Sequence, residues 1–260
     1  MSTTFTFNAG GAPLFAVEDG SGPALVMLHG GMASHAAVLP VVSPLTNRCR
    51  VITPDVRGNG QSHYGGPLTF DQLADDVVAL LDHLDLEQAV VGGVSSGCGI
   101  ALRVALKYPD RVSALVQARP VHGGTARGYT EQQAAMFTAM DGVACRAIDE
   151  GVQVLHPLYA GLPPGMRERA LAMLNAFDPA SVVTTSRFIA SGVQPFDADA
   201  DLARVAVPTL LLCGDDPVHP PEVSELYAER IPGVTVVPAM GIDMADAIDT
   251  FIRQTLRLEA

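Results

Sequence analysis

Residues 89–102 read Ala89-Val90-Val91-Gly92-Gly93-Val94-Ser95-Ser96-Gly97-Cys98-Gly99-Ile100-Ala101-Leu102. An apolar, β-branched run enters a glycine-rich turn and leaves as a helix-forming stretch. At the turn stands Gly93-Val94-Ser95-Ser96-Gly97, a G-x-S-x-G, the pattern that sets a nucleophilic serine on a sharp strand-to-helix turn. The turn is energetically awkward, so small residues must flank the serine. The following helix, expected over Gly97–Tyr108, brings its positive N-terminal end to the hydroxyl. A serine so placed needs a base to take its proton, usually a histidine.

Outward from this turn the chain alternates strands and helices. A hairpin is expected from Thr4–Asn8 and Leu14–Val17, joined by Gly10-Gly11. Buried strands follow at "ALVMLHGG", "RVITPD", "QAVVGGV" and "VSALVQARP", and later at "TLLLCG" and "VTVVPAM". Phe70–Leu84 carries Leu73, Val77, Val78 and Leu81 at helical spacing, with Thr69 as N-cap. His35–Leu45 reads as a helix interrupted by Pro40 and Pro44. Pro221–Ile231 and Met244–Leu258 read as helices. Such alternation predicts a mostly parallel sheet covered on both faces. Between Pro120 and Pro208 the strand signal nearly vanishes; Tyr129–Ala147, Gly151–Tyr159, Pro164–Phe177 and Ser181–Ala190 favour helix. That stretch reads as a helical insertion at the carboxyl edge of the sheet, where sites of such folds lie.

Composition narrows the partners. The chain has 260 residues, 48% hydrophobic, with a formal net charge of −12. That charge argues against a nucleic-acid partner, which needs clustered Lys and Arg. No run approaches a membrane span, and the N-terminus lacks the layout of a signal peptide. Cys49, Cys98, Cys145 and Cys213 are scattered, which suits free thiols in a reducing cytoplasm and neither a disulfide framework nor a metal site. The expected partner is a small-molecule substrate, with the protein as monomer or homodimer.

Five stretches, in order, resemble the α/β-hydrolase superfamily: "LHGGM", "PDVRGNGQS", the Ser95 turn, "GDDPVHPPE" and "VVPAMGIDM". The closest likeness is to the small cap-bearing esterase, lactonase and C–C hydrolase branch. The resemblance implies an α/β-hydrolase fold, a mostly parallel eight-stranded sheet with helices on both faces. The core would span residues 1–121 and 205–260, and the helical cap 122–204. It implies no cofactor.

The resemblance also assigns roles. Ser95 is the nucleophile. The oxyanion hole takes backbone amides, here Gly31 and Ser96 with Met32 as neighbour, because N–H groups and not side chains hold the developing charge. The acid falls on Asp216, aligned on its Asp-Pro, with Asp215 as the alternate. The expected histidine is missing: Ile242 stands where the family places the base. Seven histidines remain. His29 reads as a loop residue, His63 as exposed, His83 as remote and His156 as part of the insertion. His219 lies three residues past Asp216, where family members with complete triads also carry a histidine. His122, at the end of "VSALVQARP", is the favoured substitute base. His35, Arg119, Met136 and Met140 are candidate substrate contacts, although Arg119 equally suits pairing with acids.

These residues point to a cofactor-free hydrolase of a small ester, lactone or related carbonyl compound, its base a displaced histidine or a water. The alternatives are a retired, ligand-binding member of the family, or a lyase or isomerase that uses the oxyanion hole without acyl transfer.

Overall fold

In the computed structural model, residues 2–238 and 243–257 are described. Eight strands are β1 (Thr3–Ala9), β2 (Ala12–Asp19), β3 (Ala24–Leu28), β4 (Arg50–Pro54), β5 (Ala89–Val94), β6 (Val112–Ala118), β7 (Thr209–Leu212) and β8 (Thr235–Val237). They form one sheet in the order β1-β2-β4-β3-β5-β6-β7-β8. β1 and β2 pair antiparallel, and β2 pairs antiparallel with β4. The pairings from β4 through β8 are parallel. The helices are α1 (Leu39–Val42), α2 (Phe70–His83), α3 (Ser96–Lys107), α4 (Glu131–Ala144), α5 (Ala147–Glu150), α6 (Pro164–Met173), α7 (Pro179–Ala190), α8 (Pro221–Arg230) and α9 (Met244–Leu256).

The two faces of the sheet follow from alternation along each strand. Val26 and Leu28 of β3 join a core that includes Leu73 and Leu80 of α2, Leu102 of α3 and Leu226 of α8. Leu25 and Met27 point the other way, into a core with Val42 of α1 and Ile248, Phe251 and Ile252 of α9. Helices therefore cover both faces. α2 starts where expected: Oγ1 of Thr69 accepts from the Gln72 amide at 3.1 Å.

The stretch between β6 and β7 is helical, with no strand. Its apolar residues form a third cluster, which joins Phe137, Leu155, Leu174 and Ile189 to Met32 of the loop after β3. Two local expectations change. His35–Leu45 is a series of short turns around α1, because Pro40 and Pro44 remove helical donors. Residues 152–159 form a 3₁₀ stretch with Pro157 inside it. The last helix ends at Leu256, with Arg257 in left-handed geometry.

Candidate active site

Ser95 occupies the turn between β5 and α3 at φ 58°, ψ −123°. An L-residue adopts this conformation only under constraint, and three glycines supply the room. A Cβ on Gly93 would overlap the Gly97 carbonyl. One on Gly97 would lie 2.6 Å from the Leu28 and His29 carbonyl oxygens. One on Gly30 would touch the Ser95 Cβ at 3.2 Å. The turn is tied down by Ser95 N donating to the Ala118 carbonyl at 2.9 Å, and by Cys98 N donating to the Ser95 carbonyl at 3.0 Å. Ser96 is the first residue of α3, so its amide has no intrahelical acceptor. Met32 also has positive φ, 51°, and its carbonyl accepts from the Tyr159 hydroxyl at 2.8 Å.

The imidazole on Ser95 belongs to His219. Its Nε2 is 2.9 Å from Ser95 Oγ, and its Nδ1 is 2.9 Å and 3.0 Å from the two carboxylate oxygens of Asp216. The local sequence builds this pair. Asp-Pro-x-His is a turn with Asp first and Pro second, the preferred residues for those positions. The His219 amide donates to the Asp216 carbonyl at 3.0 Å. Asp216 Oδ1 also accepts from the amides of Val218 (2.8 Å) and His219 (2.9 Å). A Cβ on Gly214 would strike the Cβ of His219 at 2.5 Å, so the glycine lets the turn fold back.

Charge follows geometry. Burial drives the His219 pKa below its ordinary value, against the pull of Asp216, and the Arg119 charge adds to the lowering. The imidazole is thus neutral at pH 7, with Nε2 ready to accept. Burial pushes the Asp216 carboxyl up, but its hydrogen bonds from His219 and from the backbone outweigh that and hold it below the usual carboxylate range. Arg119 follows β6 with positive φ, 58°, and its guanidinium contacts Asp216 and, at 3.3 Å, Asp215.

The candidates from sequence separate accordingly. Asp216 faces the histidine, while Asp215 meets Arg119 from an exposed position. The expectation that His122 approaches Ser95 is corrected. His122 is 2% exposed, its ring held edge-on to Phe70 at 5.1 Å. β6 ends beside Ser95, but the His122 ring packs against Gly99 of α3, where a Cβ would meet Nδ1 at 2.6 Å. Arg119 pairs with the acids, the alternative to a substrate contact that its place at the end of "VSALVQARP" already suited. His35 is corrected from substrate contact: its backbone N and Nδ1 each lie 2.7 Å from Asp55 Oδ1, which ties it to the scaffold. His29 is structural: Nδ1 donates to the Gly30 carbonyl at 2.7 Å and Nε2 accepts from the Val56 amide at 2.9 Å. Arg57 lies buried in a two-pronged pair with Asp76. Ile242 lies outside the described residues. Sequence reasoning passed over His219 as base, although the turn chemistry of Asp-Pro-x-His was a usable signal.

A cavity of about 460 Å³ opens onto Ser95, Gly31 and Ser96, walled by Met136, Phe137 and Met140 of α4 and by Ile189 of α7. Its lining is mostly apolar, as small-molecule sites are. No helix among the described residues is long and apolar enough to cross a membrane.

Comparison with known proteins bears on the fold and the family. A model of the alpha/beta hydrolase fold matches residues 23–241. Proline iminopeptidase PfmaB of Pestalotiopsis fici is 27% identical over 234 residues, 80% of each chain. The 3-oxoadipate enol-lactonase 2 of Acinetobacter baylyi is 28% identical over 187 residues, 70% of this chain and 67% of that one. A hydrolase of Pseudomonas aeruginosa PA01 of known crystal structure superposes with a TM-score of 0.77 at 25% identity, covering 98% of both chains. With an elbow serine on an eight-stranded sheet and a family match across most of its length, the chain belongs to the alpha/beta hydrolase fold family.

Proposed function

We propose that the protein is a cofactor-free serine hydrolase of a small ester, lactone or related carbonyl compound, with Ser95, His219 and Asp216 as its triad. One observation carries this: a single imidazole joins the serine hydroxyl at 2.9 Å to a carboxylate at 2.9 Å. In the first step the Ser95 proton passes to His219 Nε2 as Oγ bonds to the substrate carbonyl carbon. The amides of Ser96 and Gly31, with Met32 beside them, take the oxyanion. His219 then returns the proton to the departing alcohol. Water repeats the sequence on the acyl-enzyme, releasing the acid and restoring Ser95. Asp216 keeps the Nδ1 proton in place and balances the imidazolium as it forms.

The helical stretch over the cavity acts as the cap, and Met136 and Met140 meet the substrate. Hydrolysis of p-nitrophenyl acetate tests the assignment. Wild type turns it over, and Ser95→Ala and His219→Ala do not; a fluorophosphonate probe labels wild type and not Ser95→Ala. Turnover undiminished in Ser95→Ala would remove the serine from the chemistry. Binding of a carbonyl ligand without labelling or turnover would favour a retired, ligand-binding member.

A further inference from the structure

Tyr129 stands just before α4, and its hydroxyl serves nothing within the protein. Buried tyrosine hydroxyls usually find an acceptor. Tyr159 donates to the Met32 carbonyl at 2.8 Å, and Tyr227 to the His122 carbonyl at 3.1 Å. The Tyr129 hydroxyl has no such partner among the described residues, yet it is not sealed in as Asn59 Oδ1 and His122 Nδ1 are. Burial alone drives its pKa well above the ordinary tyrosine range. The phenol is therefore protonated and lies inside the molecule, and the surface it keeps is cavity wall. Tyr129 lines the cavity over Ser95. With Gly31, Ser96 and Ile189 it also lines a smaller adjoining cavity of about 30 Å³. The phenol thus shares one neck with the two oxyanion donors.

The ring is held in place. It meets the Phe137 ring at 4.8 Å and the His122 ring at 5.9 Å. The next residue, Thr130, caps α4, its Oγ1 accepting from the Gln133 amide at 3.1 Å. Gln133 Nε2 in turn donates to the carbonyls of Val121 at 3.0 Å and Val218 at 2.8 Å. That ties the start of α4 to the turn that carries His219. A donor fixed in this way costs little to order when a ligand arrives. Among the described residues lining the cavity over Ser95, none is charged, and the other polar side chains are the hydroxyls of Ser95 and Ser96. An anionic group entering here meets no counter-charge, whereas a neutral oxygen meets a donor. We propose that Tyr129 determines specificity: its hydroxyl donates to a second, uncharged acceptor oxygen that the substrate carries close to the scissile carbonyl. The favoured substrates are then neutral esters or lactones with an added ether or keto oxygen. This rests on the hydrolase assignment above.

Calorimetry on the Ser95→Ala protein reads the contact without turnover. Two ligand pairs exchange one methylene for one ether oxygen. Phenyl methoxyacetate against phenyl butanoate puts the oxygen in the acyl half, and 2-methoxyethyl benzoate against butyl benzoate puts it in the alcohol half. In at least one pair the ether should bind about fivefold tighter, as one net buried hydrogen bond allows, and that pair tells which half meets the phenol. No ether preference in either pair overturns the proposal. Adding Tyr129→Phe should bring the ratio to one or below, because the ether oxygen then enters an apolar cavity without its donor. A ratio kept in Tyr129→Phe, or lost only in Ser96→Ala, overturns it too. Without ligand, Tyr129→Phe should melt no lower than wild type, since it loses an unpartnered hydroxyl; a clear drop in Tm would give that hydroxyl a structural role and overturn the proposal. The hydrolase assignment is read separately, from Ser95-dependent turnover in wild type. An ether preference without that turnover keeps the role of Tyr129 and removes the hydrolase.

Discussion

Nε2 of His219 lies 2.9 Å from Oγ of Ser95, across 124 positions of sequence. The contact joins the loop after β7 to the turn after β5, two carboxyl strand ends separated in the sheet only by β6. Removing either partner should be nearly as damaging as removing both. His219→Ala and Ser95→Ala should each lower kcat on an activated ester by about 10⁴–10⁶, and the double variant should fall little further. Asp216→Asn should cost about 10⁴, because an amide cannot hold the Nδ1–H tautomer. Steady-state kinetics on p-nitrophenyl acetate checks this, and a His219→Ala enzyme of wild-type rate would refute the triad.

The pH profile follows from the direction of the His219 shift. Neutral imidazole is the active form, and burial has lowered its pKa below 6.5. Activity should therefore rise with pH through a midpoint below 6.5 and be complete by neutrality. The Arg119 charge contributes to that lowering. Arg119→Met should move the acidic limb to higher pH, and lower kcat about ten- to a hundredfold as Asp216 loses an orienting partner. A kcat/KM profile with an unmoved limb would show that Arg119 has no electrostatic hold on the histidine.

Backbone strain at Ser95 should be measurable as stability. Ser95→Gly removes the nucleophile and relaxes φ 58°, so an inactive protein should gain about 1 kcal/mol, or about 2–4 °C in Tm. Gly93→Ala should act oppositely and lose about 3 kcal/mol, since the new Cβ has only backbone to displace. Thermal melts of the two variants decide the matter, and a Tm drop in Ser95→Gly would deny the strain.

The buried Arg57–Asp76 pair offers a fourth test. Both residues are nearly closed to solvent, at 3% and 7% exposure. Asp76→Ala should cost about 3–5 kcal/mol, because it strands a buried guanidinium. Arg57→Met combined with Asp76→Leu should cost much less. Urea denaturation gives both numbers, and equal losses would mean that packing and not charge sets the penalty.

By itself the sequence determined the architecture. The strand-to-helix alternation, the glycine spacing at residues 93 and 97 and the Thr69 cap are local rules, each satisfied by neighbours a few positions away. They carried the order of elements, the helical stretch between β6 and β7 and the elbow at Ser95. Only the tertiary structure decided which histidine meets that serine. Seven were available, and the resemblance placed the expected base at position 242, outside the described residues. The choice turned on two strand ends brought together by sheet order, where a turn begun by Asp216 and Pro217 aims His219 across the gap. His122 is nearer to Ser95 in sequence, yet its ring packs against Gly99 of α3 and Phe70 of α2. Proximity along the chain carries no information on direction, because each side chain's aim is set by the backbone that the packed sheet imposes on it.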